Sequence, residues 1–343
     1  MANYAQSVRG PISKSALGRT LMHEHILCDL RDPAERDVQI DAPDINFENR
    51  FEIDYFQNRD PRNMLLDNDD IAIRELELFR DAGGQTIVEL TVGGLCPRPD
   101  ELKEISEATG TNIVVGAGFY VEAYLDQKTC ETTIGEFEQA LRDQLGKGLW
   151  GTEVRAGLIG EIGCSWPLAP CEERLLKAAA RVQASTGVAI TIHPGRHPDA
   201  PVQIANLLMK IGAEPSRTII GHMDRTIFDR ERLLTLLRQG FVLEWDFFGI
   251  ETSHYWMAGA DLDLPTDYMR LDLIHSLMRA GHAAQIAISQ DICTRTRLRS
   301  YGGHGYGHLF RHVVPMMRRR GWSEGEIEQL IIETPARLLC YLS

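Results

Sequence analysis

Eight short apolar, β-branched runs, spaced along the chain with helix-like stretches between them, constrain this sequence more than any other feature. The runs are 20–27 (TLMHEHIL), 86–92 (TIVELTV), 112–120 (NIVVGAGFY), 157–163 (GLIGEIG), 189–194 (AITIHP), 217–223 (RTIIGHM), 241–248 (FVLEWDFF) and 285–292 (QIAISQDI). Helical periodicity marks 70–82, 98–109, 171–186, 200–212, 229–239 and 266–280. Strands alternating with helices form parallel sheets, since each helix carries the chain back to start the next strand. Eight such units in 343 residues, more than the roughly 250 typical of the fold, predict a (β/α)8 TIM barrel occupying 1–343 as a single domain. The competitor, an open doubly wound sheet, would carry a Gly-rich phosphate turn after an early strand, and no GxGxxG or P-loop pattern stands there.

The extra length falls in three long segments after strands, at 30–66, 249–266 and 294–308, and long connections of this kind are functional more often than filler. Two helices close the chain. Ser323-Glu324-Gly325-Glu326 matches a capping box, and Thr334-Pro335 reads as a cap followed by a first-turn proline. A formal net charge of −13 with no basic stripe argues against nucleic-acid partners. No apolar run is long enough for a membrane span, the N-terminus lacks a signal-like apolar core, and seven cysteines form no CxxC pair. The expectation is a reduced, cytoplasmic protein.

Leu21-Met22-His23-Glu24-His25 places two imidazoles at i, i+2 on one face of the first strand. Alone, the pair reads equally as a metal site or as two ordinary polar histidines. Four later residues shift that balance: Glu161 in the fourth run, His193 at the end of the fifth, His222 in the sixth and Asp291 in the eighth. All six sit toward the C-terminal ends of their strands, the end at which barrel enzymes assemble active sites. Imidazoles and carboxylates suit zinc and similar divalent ions. Two such ions about 3.5–4 Å apart need an anionic bridge, which Glu161 can supply with one oxygen for each. Asp291 can bind one ion and accept a proton from an attacking water.

Here the chain resembles the amidohydrolase superfamily, and within it the phosphotriesterase family's phosphotriesterase-related branch. The likeness rests on Gly18-Arg19-Thr20-Leu21-Met22-His23-Glu24-His25, Gly116-Ala117-Gly118-Phe119-Tyr120-Val121 and Gly160-Glu161-Ile162-Gly163-Cys164-Ser165-Trp166-Pro167-Leu168. Ile192-His193-Pro194-Gly195-Arg196, Asp224-Arg225-Thr226 and Tyr301-Gly302-Gly303-His304-Gly305-Tyr306 extend it over essentially the whole chain. True phosphotriesterases and related lactonases bridge their metals with a carbamylated lysine. This sequence offers Glu161 there, as the glutamate-bridged branch does, which weakens any inference of phosphotriester hydrolysis. The resemblance implies a hydrolase with two divalent ions, zinc foremost and manganese or cobalt as alternatives. A hydroxide held between the ions would attack an ester, phosphoester or amide of a small substrate. Lactones and N-acyl amino-sulfonates both belong to the range it implies, and a small-ligand binding protein on the same barrel is the non-enzymatic alternative.

Substrate choice belongs to the loops. Arg196, Arg225, Arg295 and Arg297 follow strands five, six and eight, and point to an anionic substrate group unless neighbouring acids such as Asp224 or Asp199 engage them. Arg225 and Arg295 are the stronger candidates. Tyr120 either aims its hydroxyl at the substrate or packs on the rim. Glu244 and Asp246 are expected to orient histidine or arginine side chains. His254-Tyr255-Trp256 reads as a pocket wall or a subunit contact, which leaves a homodimer open. His304, His308 and His312 read as a Gly-rich loop entering a helix, with a third metal site there a minor alternative.

Overall fold

The computed structural model describes residues 4–41, 43–56, 60–257 and 260–341. Its centre is one parallel sheet of eight strands: β1 (Thr20–Glu24), β2 (Thr86–Glu89), β3 (Asn112–Ala117), β4 (Leu158–Gly163), β5 (Ile190–His193), β6 (Thr218–Ile220), β7 (Val242–Trp245) and β8 (Ile286–Ile288). Each strand pairs with its sequence neighbours from β1 round to β8. The first and last strands meet through Asp291 N–H to His23 O at 3.1 Å and His25 N–H to Ile292 O at 3.2 Å, which completes the barrel. All eight expected strands are present, but they are shorter than the apolar runs. The C-terminal ends of the runs leave the ladder to carry side chains of the site; His222, for example, leads into a 3-10 turn at Met223–Arg225.

The crossover helices are α1 (Asp69–Asp81), α2 (Pro99–Thr109), α3 (Ile134–Gly146), α4 (Pro170–Thr186), α5 (Ala200–Ile211), α6 (Arg230–Arg238) and α7 (Asp267–Leu277). Helix α3 was not expected from the sequence, although Thr133 and Glu136 form a full capping box at its start. After β8 the chain enters a π-type turn, Leu309–Val313, that runs into α8 (Val314–Arg319). The last helical stretch begins at Glu324 behind the Ser323–Glu326 capping box, as expected. The Thr334-Pro335 cap is corrected: Thr334 has helical torsions, and the helix passes through another π-type turn, Gln329–Glu333, into Thr334–Leu339. Proline lacks an N–H and clashes with the carbonyl four residues back, so the wider turn accommodates Pro335 without ending the helix.

Hydrophobic side chains divide into two layers. Most pack between the sheet and the helices. A second set, Met22, Val88, Val114, Leu158, Ile219, Val242 and Ala287 among them, fills the lower barrel interior. Ala5, Leu17 and Leu338 join this set and close the floor. Ala5 lies in an N-terminal hairpin, Tyr4–Ser7 with Gly10–Ser13, that the strand count had left out. The long loops also carry structure: Arg50–Phe56 is a helix, Cys28–Asp29 pairs with Leu65–Leu66, and His254–Met257 pairs with Ala260–Asp263. Among the described residues, no helix is long and apolar enough to cross a membrane.

Candidate metal centre and substrate cavity

Above the apolar floor, His23, His25, Glu161, His193, His222 and Asp291 converge, all buried. Two irregularities in the ladder aim them. The register between β1 and β2 shifts between Leu21 and Glu24, so interior Met22 is followed directly by His23 in the polar layer. The β4–β5 register shifts between Ile159 and Ile162, around Glu161. Gly160 there has φ +108°, and a β-carbon at that position would lie 2.1 Å from the Thr191 carbonyl oxygen. Only glycine serves at this position. His222 (φ +57°) and Asp291 (φ +45°) also adopt the left-handed region, sparsely populated outside glycine and concentrated at functional sites.

Glu161 is the hub. Its Oε2 lies 3.0 Å from His193 Nδ1, 3.4 Å from His23 Nε2 and 3.5 Å from His222 Nε2; its Oε1 lies 3.5 Å from His25 Nε2. Asp291 Oδ1 stands 3.4 Å from His25 Nε2 and 3.9 Å from His23 Nε2. Two overlapping groups result, His23–Glu161–His222 and His23–His25–Asp291, each with its ligand atoms within 4.8 Å of one another. Burial alone would push the Glu161 carboxyl up, but the surrounding imidazoles outweigh it and hold the group ionised, well below its ordinary range. Burial, reinforced by Arg225, drives His222 down to about 4, so this imidazole stays neutral. His193 is likewise lowered by burial.

The outer nitrogens have their own partners. His23 Nδ1 faces Glu244 at 3.4 Å, His25 Nδ1 faces Thr91 Oγ1 at 3.0 Å, and His222 Nδ1 faces Asp246 Oδ1 at 2.9 Å. Glu244 and Asp246 thus stand behind histidines, and Asp246 also accepts the His222 backbone N–H at 2.8 Å. Such partners fix the ring so that Nε2 points inward. His23 Nε2 itself is buried with no hydrogen-bond partner, a position hard to sustain unless an electrophile sits beside it. Donor set, orientation and orphaned nitrogen all fit a divalent metal. Asp246→Asn cannot both hold Nδ1 and accept the backbone N–H as a carboxylate does. Metal affinity is expected to fall about 10–100-fold, measured by chelator competition.

Glu24, between the two histidines, was not singled out in the sequence. It accepts Ser289 Oγ at 2.7 Å, Gln290 N–H at 2.9 Å and Ile292 N–H at 2.8 Å, clamping the backbone on both sides of Asp291. One strand therefore supplies two inward imidazoles and the anchor for the opposing carboxylate.

His25, Glu161, His193, His222 and Asp291 floor a cavity of about 420 Å³ whose walls include Tyr120, Tyr124, Trp166, Phe247 and Tyr255. Arg196, Arg225 and Arg297 line it too. Arg225 is buried; its Nη2 donates to Pro194 O at 3.1 Å and to His193 Nε2 at 3.2 Å, and its Nη1 has no partner. Arg196 Nε donates to the Tyr255 hydroxyl at 3.4 Å. Arg297 donates to the Asp291 carbonyl and lies over the Phe247 ring. Among the described residues none of the three forms an ion pair; Asp224 is held by Arg270 and Asp199 by Arg232. Arg295 is placed otherwise than expected. It binds Leu65 O at 2.7 Å and Asp67 Oδ1 at 2.8 Å, outside the cavity, so Arg297 occupies the position assigned to it. Tyr120 does reach the site, its hydroxyl 3.4 Å from His193 Nε2. Arg225 Nη2, which can only donate, lies 3.2 Å from the same nitrogen, so Nε2 is the acceptor there and the phenol O–H can donate to it. Tyr255 is a wall residue as anticipated, and the Trp256 side chain lies outside the described residues. His308 precedes the π-type turn and binds Asp267 Oδ2 at 2.8 Å; in the His304–His308–His312 series the first pair of rings meets edge-on and the second is tilted.

A parallel barrel with four histidines and two carboxylates converging at its C-terminal end holds them where barrel enzymes place their active sites. The sequence profile of the Phosphotriesterase family matches residues 3–339, and the chain belongs to that family. It is 39% identical over 347 residues to the N-acetyltaurine hydrolase of Xenopus tropicalis, covering 99% of each protein. Among solved structures it is similar to a resiniferatoxin-binding protein from Rhodobacter sphaeroides, with TM-score 0.91 and 32% identity over 98% of this chain and 95% of that one. A PTE-like lactonase from Deinococcus radiodurans superposes with TM-score 0.77 at 28% identity, covering 98% and 99% of the two chains.

Proposed function

We propose that this chain is a binuclear zinc hydrolase whose substrate is a small N-acyl amide bearing a sulfonate or carboxylate. The observation that carries this reading is the set of three unpaired arginines walling a cavity floored by the histidine–carboxylate cluster. Relatives named N-acetyltaurine hydrolase, similar over their full length, support an amide with an anionic end. His23, His25 and Asp291 would hold one ion and His193 and His222 the other, with Glu161 shared between them. Bound there, the ions would lower the pKa of a water and polarise the scissile carbonyl.

The remaining tasks fall to the protein. Asp291 accepts the proton of the attacking water and returns it to the departing amine. Tyr120 and Arg225 both aim donors at His193 Nε2 and so orient that imidazole at the cavity floor. Arg225 Nη1 holds the anionic end, helped by Arg196 and Arg297, and so fixes the distance from that end to the bond cut.

The test is a hydrolysis screen of the metal-replete enzyme across N-acyl amino-sulfonates, N-acyl amino acids, lactones and phosphoesters. Highest kcat/KM on the N-acyl anions is expected; faster turnover of lactones or phosphoesters overturns the amide assignment, and no turnover at all favours a binding protein. In Arg225→Ala, loss of a charged hydrogen bond worth roughly 1.5–3 kcal/mol should raise KM for anionic substrates about 10–100-fold. Neutral analogues should be nearly unaffected. Equal losses on both would remove its charge-recognition role.

A further inference from the structure

A second group of metal-type ligands lies outside the barrel mouth. Glu122, Cys130 and Cys171 bring a carboxylate oxygen and two sulfurs within 4.8 Å of one another. They come from three elements: Glu122 opens a 3-10 turn, Glu122–Tyr124, after β3; Cys130 ends a short helix, Gln127–Cys130; Cys171 lies in the first turn of α4. Cys171 is buried, Cys130 is partly exposed and Glu122 is exposed, so the group is open to solvent on one side. The Cys171 thiol donates to Glu122 Oε1 at 3.3 Å. None of these side chains has a part in the hydrolytic site. Two sulfurs and one oxygen also differ in chemistry from the imidazole–carboxylate centre, and thiolates select softer ions.

We propose that Glu122, Cys130 and Cys171 form a separate site for one thiophilic divalent cation, Zn²⁺ or Cd²⁺. On binding, both thiols lose their protons to solvent. Two metal–sulfur bonds and one metal–oxygen bond form, and water fills the remaining position. Two thiolates and a carboxylate carry one negative charge more than the cation neutralises. Arg174, whose guanidinium donates to the carbonyls of Cys130 and Thr132, stands beside the group to offset it.

The site would act on the cavity wall. Ala123 and Tyr124 of the Glu122 turn line the cavity. Glu172, next to Cys171, accepts Glu122 N–H at 2.9 Å, Ser165 N–H at 2.8 Å and Ala169 N–H at 3.0 Å. A cation joining Cys171, Cys130 and Glu122 adds a cross-link beside these hydrogen bonds and stiffens the wall formed by the loops after β3 and β4.

The experiment titrates Cd²⁺ into the metal-replete enzyme, kept reduced with a phosphine, and follows the ultraviolet thiolate-to-cadmium band. Ions in the imidazole–carboxylate centre give no such band, so it reports on sulfur ligation alone. One equivalent is expected in the wild type and none in Cys130→Ser or Cys171→Ser, with turnover of the Cys130→Ser enzyme retained. Glu122→Gln should weaken binding about tenfold. No band in the wild type overturns the proposal, as does a band of wild-type intensity in Cys130→Ser, which would assign it to other cysteines.

Discussion

Replacing Asp291 with asparagine is expected to lower kcat about 10²–10⁴-fold, the range of a lost general base, while leaving the fold intact. The fold should survive because the backbone, not the carboxylate, holds this residue. Its N–H binds the His23 carbonyl at 3.1 Å, its carbonyl takes Arg297, and Glu24 pins the flanking amides. Asparagine also tolerates the left-handed conformation seen there (φ +45°). What changes is chemistry. The carboxylate is held ionised against burial by His25, His23 and His222, and the amide that replaces it can neither carry that charge nor take a proton. Metal content measured alongside kcat separates two roles. Full metal with lost turnover assigns proton transfer, whereas lost metal assigns ligation. Unchanged kcat would remove Asp291 from the mechanism.

Much of this site was legible because barrel geometry turns a one-dimensional signal into a three-dimensional one. Polar residues at the C-terminal ends of apolar runs converge once the strands close, so His23, Glu161, His193, His222 and Asp291 could be grouped without knowing any contact. Glu24 was invisible for the opposite reason. Strand alternation points it away from its histidine neighbours, and its partners Ser289 and Ile292 lie across the seam of the barrel, more than 260 residues away. Helix α3 carries a local signal of its own, the capping box of Thr133 and Glu136.

The arginines show where local sequence runs out. Arg295 and Arg297 are two residues apart in one 3-10 turn, in which successive side chains fan out around the axis. One must face inward and the other outward. The choice was set by Asp67 and the Leu65 carbonyl, contributed by a loop between β1 and α1 that catches Arg295. Composition of the turn itself holds no trace of that partner. Arg225 was easier, since its position three residues beyond a strand-end histidine ties it to the cavity.

The converse experiment is Glu161→Gln, which should abolish activity by emptying the centre. Four imidazoles would then face two dications with Asp291 as the only central carboxylate, since Glu244 and Asp246 lie on the Nδ1 side of His23, at 3.4 and 3.5 Å. Metal affinity should fall by more than the about 100-fold associated with losing an outer partner, read by elemental analysis after gel filtration. Stability gives the sharper readout because its size differs between two states. In metal-free protein the surrounding imidazoles more than offset the desolvation of Glu161, so removing its charge should lower the melting temperature modestly. In the presence of excess zinc, the wild type gains stability from binding ions to its folded form alone, and the variant cannot share that gain. The gap between the two melting curves should therefore widen from chelator to zinc. Curves that keep the same order and spacing in both conditions would mean that Glu161 orders the barrel mouth without holding metal.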